Sequence, residues 1–518
     1  MLFRTFLTGV VLTAGAFAQM KSFPKPDYFR ETFQSGMPKV ELKDPVRLKD
    51  YVVSGKLELS LKDYLQLVMA NNTNVQIQMI SLETPKNAIE RAFAPWDPLA
   101  TASFGSTRTL SLPVSQLDSA SGTAVSSLSQ PFRGTYTQTL DTGTSYNVQY
   151  NATKQTSSNS FNNYNPSLTS NLAVNLTQPL LRNRGRYINR VNLMIARSNY
   201  RVSEYNLRQS IITAISNAEN AYWSVILARE NITVAQGSRD VAQKLMDFTQ
   251  HQLDLGALSP LDIFQTKQQL AQTDLQLANA QFALQQAEDA VRMQVGADLD
   301  PEVRKLPLVL TEPVEVPNVD SISYEPEPTV QEALANRPDL KGLSQRLDVD
   351  NLSITSAKNG LLPQLDLSGT YTAQGRGGVF FQRTGLGSDA VVSTLPGGFG
   401  DALSQMFGFG FPVYGASLTL RLPIKSHAAA MDLADAVVRK KSDALALRNQ
   451  QENVRLNVLN AITNLNGSKE QLKLATTLRE ISKSNLDAMN QKYTLGVEIL
   501  PNVTRAAQDL TSAEFQVV

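Results

Sequence analysis

The chain of 518 residues contains no cysteine, only two histidines, no surplus of either charge and no long hydrophobic run. Each absence closes a class of function. Without cysteine there can be no disulfide, no thiolate metal site and no lipidated cysteine, so membrane attachment is expected to come from the fold itself. His251 and His427 stand far apart with no clustered partner, so no metal site is expected and both are read as surface residues. Lys plus Arg (48) nearly equals Asp plus Glu (47), and a net charge of +1 gives no reason to expect a nucleic-acid partner. A hydrophobic fraction of 42% and a mean hydropathy of −0.20 exclude a bundle of lipid-spanning helices.

The one apolar stretch, residues 6–18, follows Arg4 and ends in Ala16-Phe17-Ala18. It is shorter than the ~20 residues a spanning helix needs, and the small-x-small ending is what signal peptidase reads. Residues 1–18 are therefore expected to be an export signal cleaved before Gln19, with 19–57 an N-terminal extension. No Ser/His/Asp or Cys/His set, P-loop or paired-carboxylate cleft can be assembled, so neither an enzyme nor a cofactor is expected. Gly375-Arg376-Gly377-Gly378 and Gly397-Gly398-Phe399-Gly400 are not read as nucleotide motifs, because no strand-to-helix junction is expected after them.

What is present is a sequence written twice. Ala70-Asn71-Asn72-Thr73-Asn74-Val75 aligns with Ala335-Asn336-Arg337-Pro338-Asp339-Leu340, and at the same offset Pro98 meets Pro363. Further on, Leu176-Thr177-Gln178-Pro179-Leu180 matches Leu420-Arg421-Leu422-Pro423-Ile424, and Leu255-Gly256 matches Leu495-Gly496. The repeats are placed at 58–300 and 329–518, joined by a proline-rich, acidic connector at 301–328.

Each repeat predicts four parts in the same order. A moderate helix (about 60–93 and 329–359) comes first. A strand pair follows at 99–177 and at 364–423, where Tyr146, Val148 and Tyr150 alternate with Asn147, Gln149 and Asn151, and Leu418 and Leu420 alternate with Thr419 and Arg421. Residues 132–140 could extend a strand or add a hairpin, but four strands is the count adopted. The Ser-, Gly- and Asn-rich segments 111–130, 153–165 and 375–410 are read as rim loops.

Third comes a proline-free helix of ~100 Å, at 186–255 and at 427–495. Leu207, Ile211, Ile215, Ala218, Tyr222 and Val225 form a packing stripe on the first, Val454, Val458, Ala461 and Leu465 on the second. A return helix closes each repeat, at 261–296 and 501–518. In the first, Leu270, Leu277, Leu284 and Val291 recur at sevens; by its register the second would run roughly 16 residues further.

Duplicated strand pairs, very long helices, glycine turns and Gln178-Pro179-Leu180-Leu181 at the strand-to-helix corner resemble the TolC-type outer-membrane efflux family. The resemblance implies a mainly α chain with membrane β: a subunit of a trimeric 12-stranded β-barrel continued by a long α-helical periplasmic barrel. It implies a homotrimer set in outer-membrane lipid, a passive channel-tunnel of a tripartite efflux or export system. A periplasmic adaptor (membrane fusion) protein and an inner-membrane pump of RND, ABC or MFS type would complete it. A type I protein-secretion channel is equally compatible, and an exported coiled-coil envelope spacer is the reading from another class.

Site expectations follow. The helix turns Leu255, Gly256, Ala257, Leu258, Ser259 and Leu495, Gly496, Val497, Glu498, Ile499 are the candidate tips for adaptor docking. The family's contact between an acid beyond the first glycine and a tyrosine before the second falls on Asp262 and Tyr493, the candidate gate. Glu498 stands where some members are basic, and Asn502 and Arg505 where some carry acids. Asn147, Gln149, Asn175, Thr419 and Arg421 are candidate pore-lining residues, with Arg421 open to the alternative of a rim anchor.

Overall fold

The computed structural model describes residues 46–518 apart from 47, 114–122, 160, 257–260, 297–301, 303, 313–320 and 386–389. The expected export signal lies outside the described residues. The chain opens on two short strands, β1 (Val52–Val53) and β2 (Lys56–Leu59), followed by helices α1 (Leu61–Asn71), α2 (Thr73–Ser81) and α3 (Glu83–Arg91). The single helix expected over 60–93 is thus three. The first break has a local cause: the Asn72 side chain leaves the helix and accepts from the backbone N–H groups of Asn74 (3.0 Å) and Val75 (3.3 Å), starting α2 afresh.

Strands β3 (Leu99–Phe104), β4 (Thr107–Ser111), β5 (Val125–Thr139), β6 (Ser145–Ser157) and β7 (Tyr164–Pro179) come next. A short turn α4 (Arg186–Asn189) leads into the 64-residue α5 (Val191–Asp254), and α6 (Asp262–Gln294) returns beside it. The second half begins with β8 (Leu308–Leu310), α7 (Pro326–Asn336) and α8 (Pro338–Gly360). Then follow β9 (Gln364–Arg383), β10 (Val391–Leu395), α9 (Phe399–Phe407), β11 (Pro412–Arg421), the 68-residue α10 (His427–Thr494) and α11 (Leu500–Val517).

The break between α7 and α8 falls at Arg337, the aligned counterpart of Asn72, where Pro338 cannot continue a helix and instead starts one at its first position. Both breaks are fastened to a long neighbour. Asn71 Nδ2 donates to the Val295 carbonyl at the end of α6 (3.3 Å), and Asn72 Nδ2 to Gln294 Oε1 (2.7 Å). In the second half Asp339 accepts from Arg337 Nη2 (2.8 Å), from Gln450 Nε2 on α10 (2.9 Å) and from its own neighbour's N–H, Leu340 (2.8 Å). Burial pushes the Asp339 carboxyl up, but the bonds from Arg337 and Gln450 outweigh it and hold the group below the usual carboxylate range.

A carboxyl with a lowered folded-state pKa stabilises the fold above its unfolded value of about 3.9 and loses that contribution as pH falls through the folded value. Asp339→Asn is therefore expected to cost about 1–2 kcal/mol at pH 7. The deficit should shrink as pH falls below the unfolded value of about 3.9 and vanish once it lies below the lowered folded value, read as converging helical melting curves of the two proteins.

The core sits where the short strands meet the long helix. The proline-rich connector supplies β8, which pairs in parallel with β2 from Leu57↔Leu308 to Leu59↔Leu310. This small sheet closes over Tyr64, Leu67 and Val68 of α1, Ala218, Tyr222 and Val225 of α5, and Val291 and Val295 at the end of α6. Of the expected stripe on α5, Ala218, Tyr222 and Val225 are buried while Leu207, Ile211 and Ile215 are half-buried. On α10, Val454 is buried and Val458 and Leu465 half-buried; Ala461 is exposed and its neighbour Ile462 is buried in its place. Among the described residues no helix is long and apolar enough to cross a membrane.

Candidate functional site

The larger sheet differs from the two strand pairs expected. It has eight strands in the order β10-β9-β7-β6-β5-β3, with β11 also on β9 and β4 also on β5. β3 and β4 lie end to end in one register along β5, and β10 and β11 end to end along β9, so the eight strands fill six positions. The interruption between β3 and β4 lies opposite Pro131, which has no N–H to donate, although its carbonyl still accepts from Gly105 at 2.9 Å. Of the segments expected as rim loops, 111–130 and 153–165 are mostly strand where described, and 375–410 holds the end of β9, β10 and the helix α9.

Directly opposed residues of an antiparallel sheet point to the same face. One row runs Thr137↔Asn147↔Asn175↔Thr370↔Gly415 across five positions, and the next Thr135↔Gln149↔Ala173↔Thr372↔Val413. Thr419 and Arg421 follow Gly415 at even spacing on the same face. All five polar positions singled out from the sequence therefore share one face, joined by Thr135 and Thr137, which had not been singled out, and by Ser368 and Thr370, which the alternation with Leu367 and Tyr371 had marked as polar. The alternation of Phe132, Gly134 and Tyr136 with Arg133, Thr135 and Thr137 was the signal for the first two. The other face reads Tyr136↔Val148↔Val174↔Tyr371↔Tyr414 and, one step down, Tyr146↔Leu176↔Gly369↔Ala416.

A helix follows Gly397-Gly398 after all: Gly398 N–H donates to the Asp401 carboxylate (2.7 Å) at the start of α9. This helix of nine residues is seated on the apolar face, with Ala402 and Met406 buried, and Ser170 donates to the Met406 sulfur at 3.2 Å. Gly375 and Gly377 make the seat, since a Cβ on either would fall 1.9 Å from the Ala402 carbonyl or 2.1 Å from that of Gly398.

At the far end of the long helices, Gly256 (φ +75°) and Gly496 (φ +73°) adopt the left-handed conformation that ends a helix. The second turn is closed by Val497 N–H to the Lys492 carbonyl (2.9 Å) and Gly496 N–H to that of Tyr493 (3.0 Å). Leu255, Leu495, Val497 and Ile499 are 71%, 78%, 76% and 61% exposed. Ala257, Leu258 and Ser259 lie outside the described residues. The Glu498 carboxylate accepts from Asn502 Nδ2 (2.7 Å) and from Ile499 N–H (3.1 Å), which hold it below the usual range, so this tip carries a fixed anion. Tyr493 packs edge-on against Phe248 of α5 at 5.6 Å. The side chain of Asp262, its expected gate partner, lies outside the described residues.

His251 and His427 are both exposed, and among the described residues no three His, Cys, Asp or Glu side chains come together as metal ligands would. Arg421 sits on the polar face at the end of β11, opposite Gln364.

A sheet apolar on one face and polar on the other, continued by ~100 Å helices with apolar ends, defines a wall-and-tunnel channel subunit. The family model described as "Outer membrane efflux protein" matches residues 141–297 and 329–518, and the chain belongs to that family. Its members are outer-membrane channels and not enzymes, and the outer membrane is where this chain resides. The cation efflux system protein CusC of Escherichia coli K12 is 27% identical over 178 residues, 34% of this chain and 37% of that protein. The outer membrane protein TolC of the same strain is 23% identical over 319 residues, 58% of this chain and 57% of that protein. The sequence matches thus span less than two thirds of either relative. A crystal structure of CusC superposes with a TM-score of 0.60 at 15% identity over 93% of this chain and 94% of that one, a likeness of fold.

Proposed function

We propose that three copies of the chain form the outer-membrane exit duct of a tripartite efflux system, a passive conduit from periplasm to exterior. The observation that supports it most is the division of the middle of the sheet into a mainly polar and a mainly apolar face that runs from β5 to β11, together with two sheet edges that have no partner strand among the described residues. β3, β4 and β11 are exposed along their whole length in the single chain. Open strand edges are untenable in lipid, where each unpaired backbone group costs several kcal/mol, so the sheet has to be closed by further copies. The polar face, with Asn147, Gln149, Asn175, Thr419 and Arg421, then lines the lumen. An envelope spacer would need the long helices but not a two-faced sheet.

The exposed leucines, valine and isoleucine at the helix turns, collared by ionised Glu498, are the docking surface for a periplasmic adaptor, through which an inner-membrane pump supplies the energy. Leu495→Asp with Val497→Asp is expected to weaken adaptor binding by roughly 10-fold or more, as loss of interface anchors does. Folding and intrinsic conductance should be unchanged, because both side chains face solvent. Adaptor pull-down from detergent and bilayer conductance of the same preparation check the two halves.

Asp262 and Tyr493 are the gate. Tyr493→Phe keeps the ring against Phe248 and deletes only the hydroxyl, so with Asp262→Ala it tests the latch without emptying the packing. Small single-channel conductance in the wild type, rising in the double variant, is the expected result in planar bilayers. Absence of conductance in both, from inserted protein, would remove the channel reading.

A further inference from the structure

The two repeats do not contribute equally to the sheet. Pro98 and Pro363 are aligned landmarks just before β3 and β9, and 176–180 and 420–424 are aligned landmarks at the ends of β7 and β11. Between them the second repeat fills two sheet positions, β9 and the β10/β11 ribbon, whereas the first fills four: the β3/β4 ribbon, β5, β6 and β7. The family match in the first repeat begins at residue 141, just ahead of β6, which leaves β3, β4 and β5 outside it. The first repeat therefore carries an additional hairpin.

That hairpin is built into the sheet. β5 pairs with β6 without a slip from Ser127↔Ser157 to Thr139↔Ser145, and continues both faces in phase. Cross-strand contacts reinforce it: the rings of Phe132 and Tyr150 lie 6.2 Å apart, Arg133 Nε donates to Asn151 Oδ1 (3.0 Å), and Asn147 Nδ2 to Thr137 Oγ1 (2.8 Å). The turn joining the two strands grips the start of the long helix. Asp141 pairs with Arg190 and, at 3.4 Å, with Arg186, while Gly185 N–H donates to the Thr142 carbonyl at 3.1 Å. Gly143 (φ +88°) packs so closely there that a Cβ would lie 2.5 Å from the Asn183 carbonyl.

We propose that three copies close a barrel of eighteen strands rather than twelve, six positions from each, with every β3/β4 ribbon joining a neighbour's β10/β11 ribbon. The inference rests on the trimeric channel of the preceding subsection. β6 is flanked by β5 and β7 and offers no free edge; for a neighbour to join there, the whole β5–β6 ladder would have to open, at ~0.5–1.5 kcal/mol for each bond. Barrel diameter grows roughly in proportion to strand number, so the wall is about 1.5-fold wider and its opening about 2-fold larger in area than a twelve-stranded one. The wall would then admit cargo of larger cross-section, large solutes or extended polypeptide, from the tunnel side.

Because the chain has no cysteine, introduced pairs report cleanly. Full-length protein carrying Ser103→Cys on β3 and Ser417→Cys on β11 is treated with a short bis-maleimide in outer membranes, beside protein carrying Gln149→Cys on β6 and Ser417→Cys. Thr101 and Thr419 serve as second positions on the same two strands, to allow for the stagger between subunits. Covalent dimers and trimers from the β3–β11 pairs, and none from β6–β11, are expected, with eighteen strands counted by electron cryo-microscopy of the trimer in nanodiscs. Cross-linking of β6 to β11 instead, with a twelve-stranded barrel, overturns the inference and leaves the trimeric channel standing. No cross-link from any pair, in protein whose heat-shifted mobility shows it is inserted, removes the ring of copies and the inference with it.

Discussion

Tyr222→Ala is expected to lower the unfolding free energy of the helical region by about 3–5 kcal/mol, the range for truncating a fully buried aromatic. Tyr222 is completely buried on α5. Its ring lies 5.6 Å from that of Tyr64, and its hydroxyl donates to the Leu59 carbonyl at 3.2 Å. It therefore joins the long helix to α1 and to the end of β2 at once, and removal leaves a cavity and takes from the Leu59 carbonyl one of its two donors, the Thr311 N–H at 3.3 Å remaining. Tyr222→Phe separates the two costs and should lose only about 0.5–1.5 kcal/mol, the net value of one hydrogen bond. Tyr64 provides the contrast within the same cluster. Its hydroxyl is buried with no hydrogen-bond partner, and burial pushes its pKa well above that of an ordinary tyrosine. Tyr64→Phe is accordingly expected to be neutral or stabilising, since it deletes a desolvated polar group that makes no bond. Urea midpoints followed by the helical circular dichroism of the three variants rank them, and a Tyr64→Phe loss as large as that of Tyr222→Phe would contradict the assignment of the unpaired hydroxyl.

The parts of this architecture that were legible in the sequence are those governed by one uninterrupted period. The two long helices end within a residue or so of where the proline-free pattern stops, because nothing in 64 or 68 residues competes with the helical repeat and glycine marks each end. The alternation of Tyr146, Val148 and Tyr150 located β6 for the same reason. Where two signals collide, the reading failed. Pro131 sits within β5, and a proline ordinarily demotes a strand; it is tolerated because the ribbon opposite breaks in the same place. Asn72 looks like an ordinary polar position in a helix until its side chain is seen capping the next one. The seat of α9 was invisible for a different reason. Glycines that look like loop punctuation at 375 and 377 are strand positions emptied of side chains so that a helix can lie on them, which is a tertiary fact with no local period. Of the candidate site, the polar row was recoverable strand by strand, but its extension onto β5 depended on counting that strand at all.

The division of faces makes its sharpest demand at adjacent residues of β7. Val174 stands in the apolar row between Val148 and Tyr371, and Asn175 in the polar row between Asn147 and Thr370. An arginine on the lipid face of an outer-membrane barrel costs about 2–4 kcal/mol near the bilayer midplane, while the lumen face tolerates charge and uses it for selectivity. Val174→Arg is therefore expected to lose about that much, read as lower yield of membrane-inserted, heat-modifiable protein and a lower urea midpoint for the strand signal. Asn175→Arg, one residue along, should insert like the wild type and shift the reversal potential in a salt gradient toward anions, because every copy adds a cation to the lumen wall. The two variants introduce the same side chain at adjacent positions of one strand, so the direction of the side chain is what distinguishes them. Equal tolerance of the two arginines would mean that neither face meets lipid. Inverted tolerance would turn the sheet inside out, and with it the assignment of α9 and its glycine seat to the side of the wall that faces the membrane.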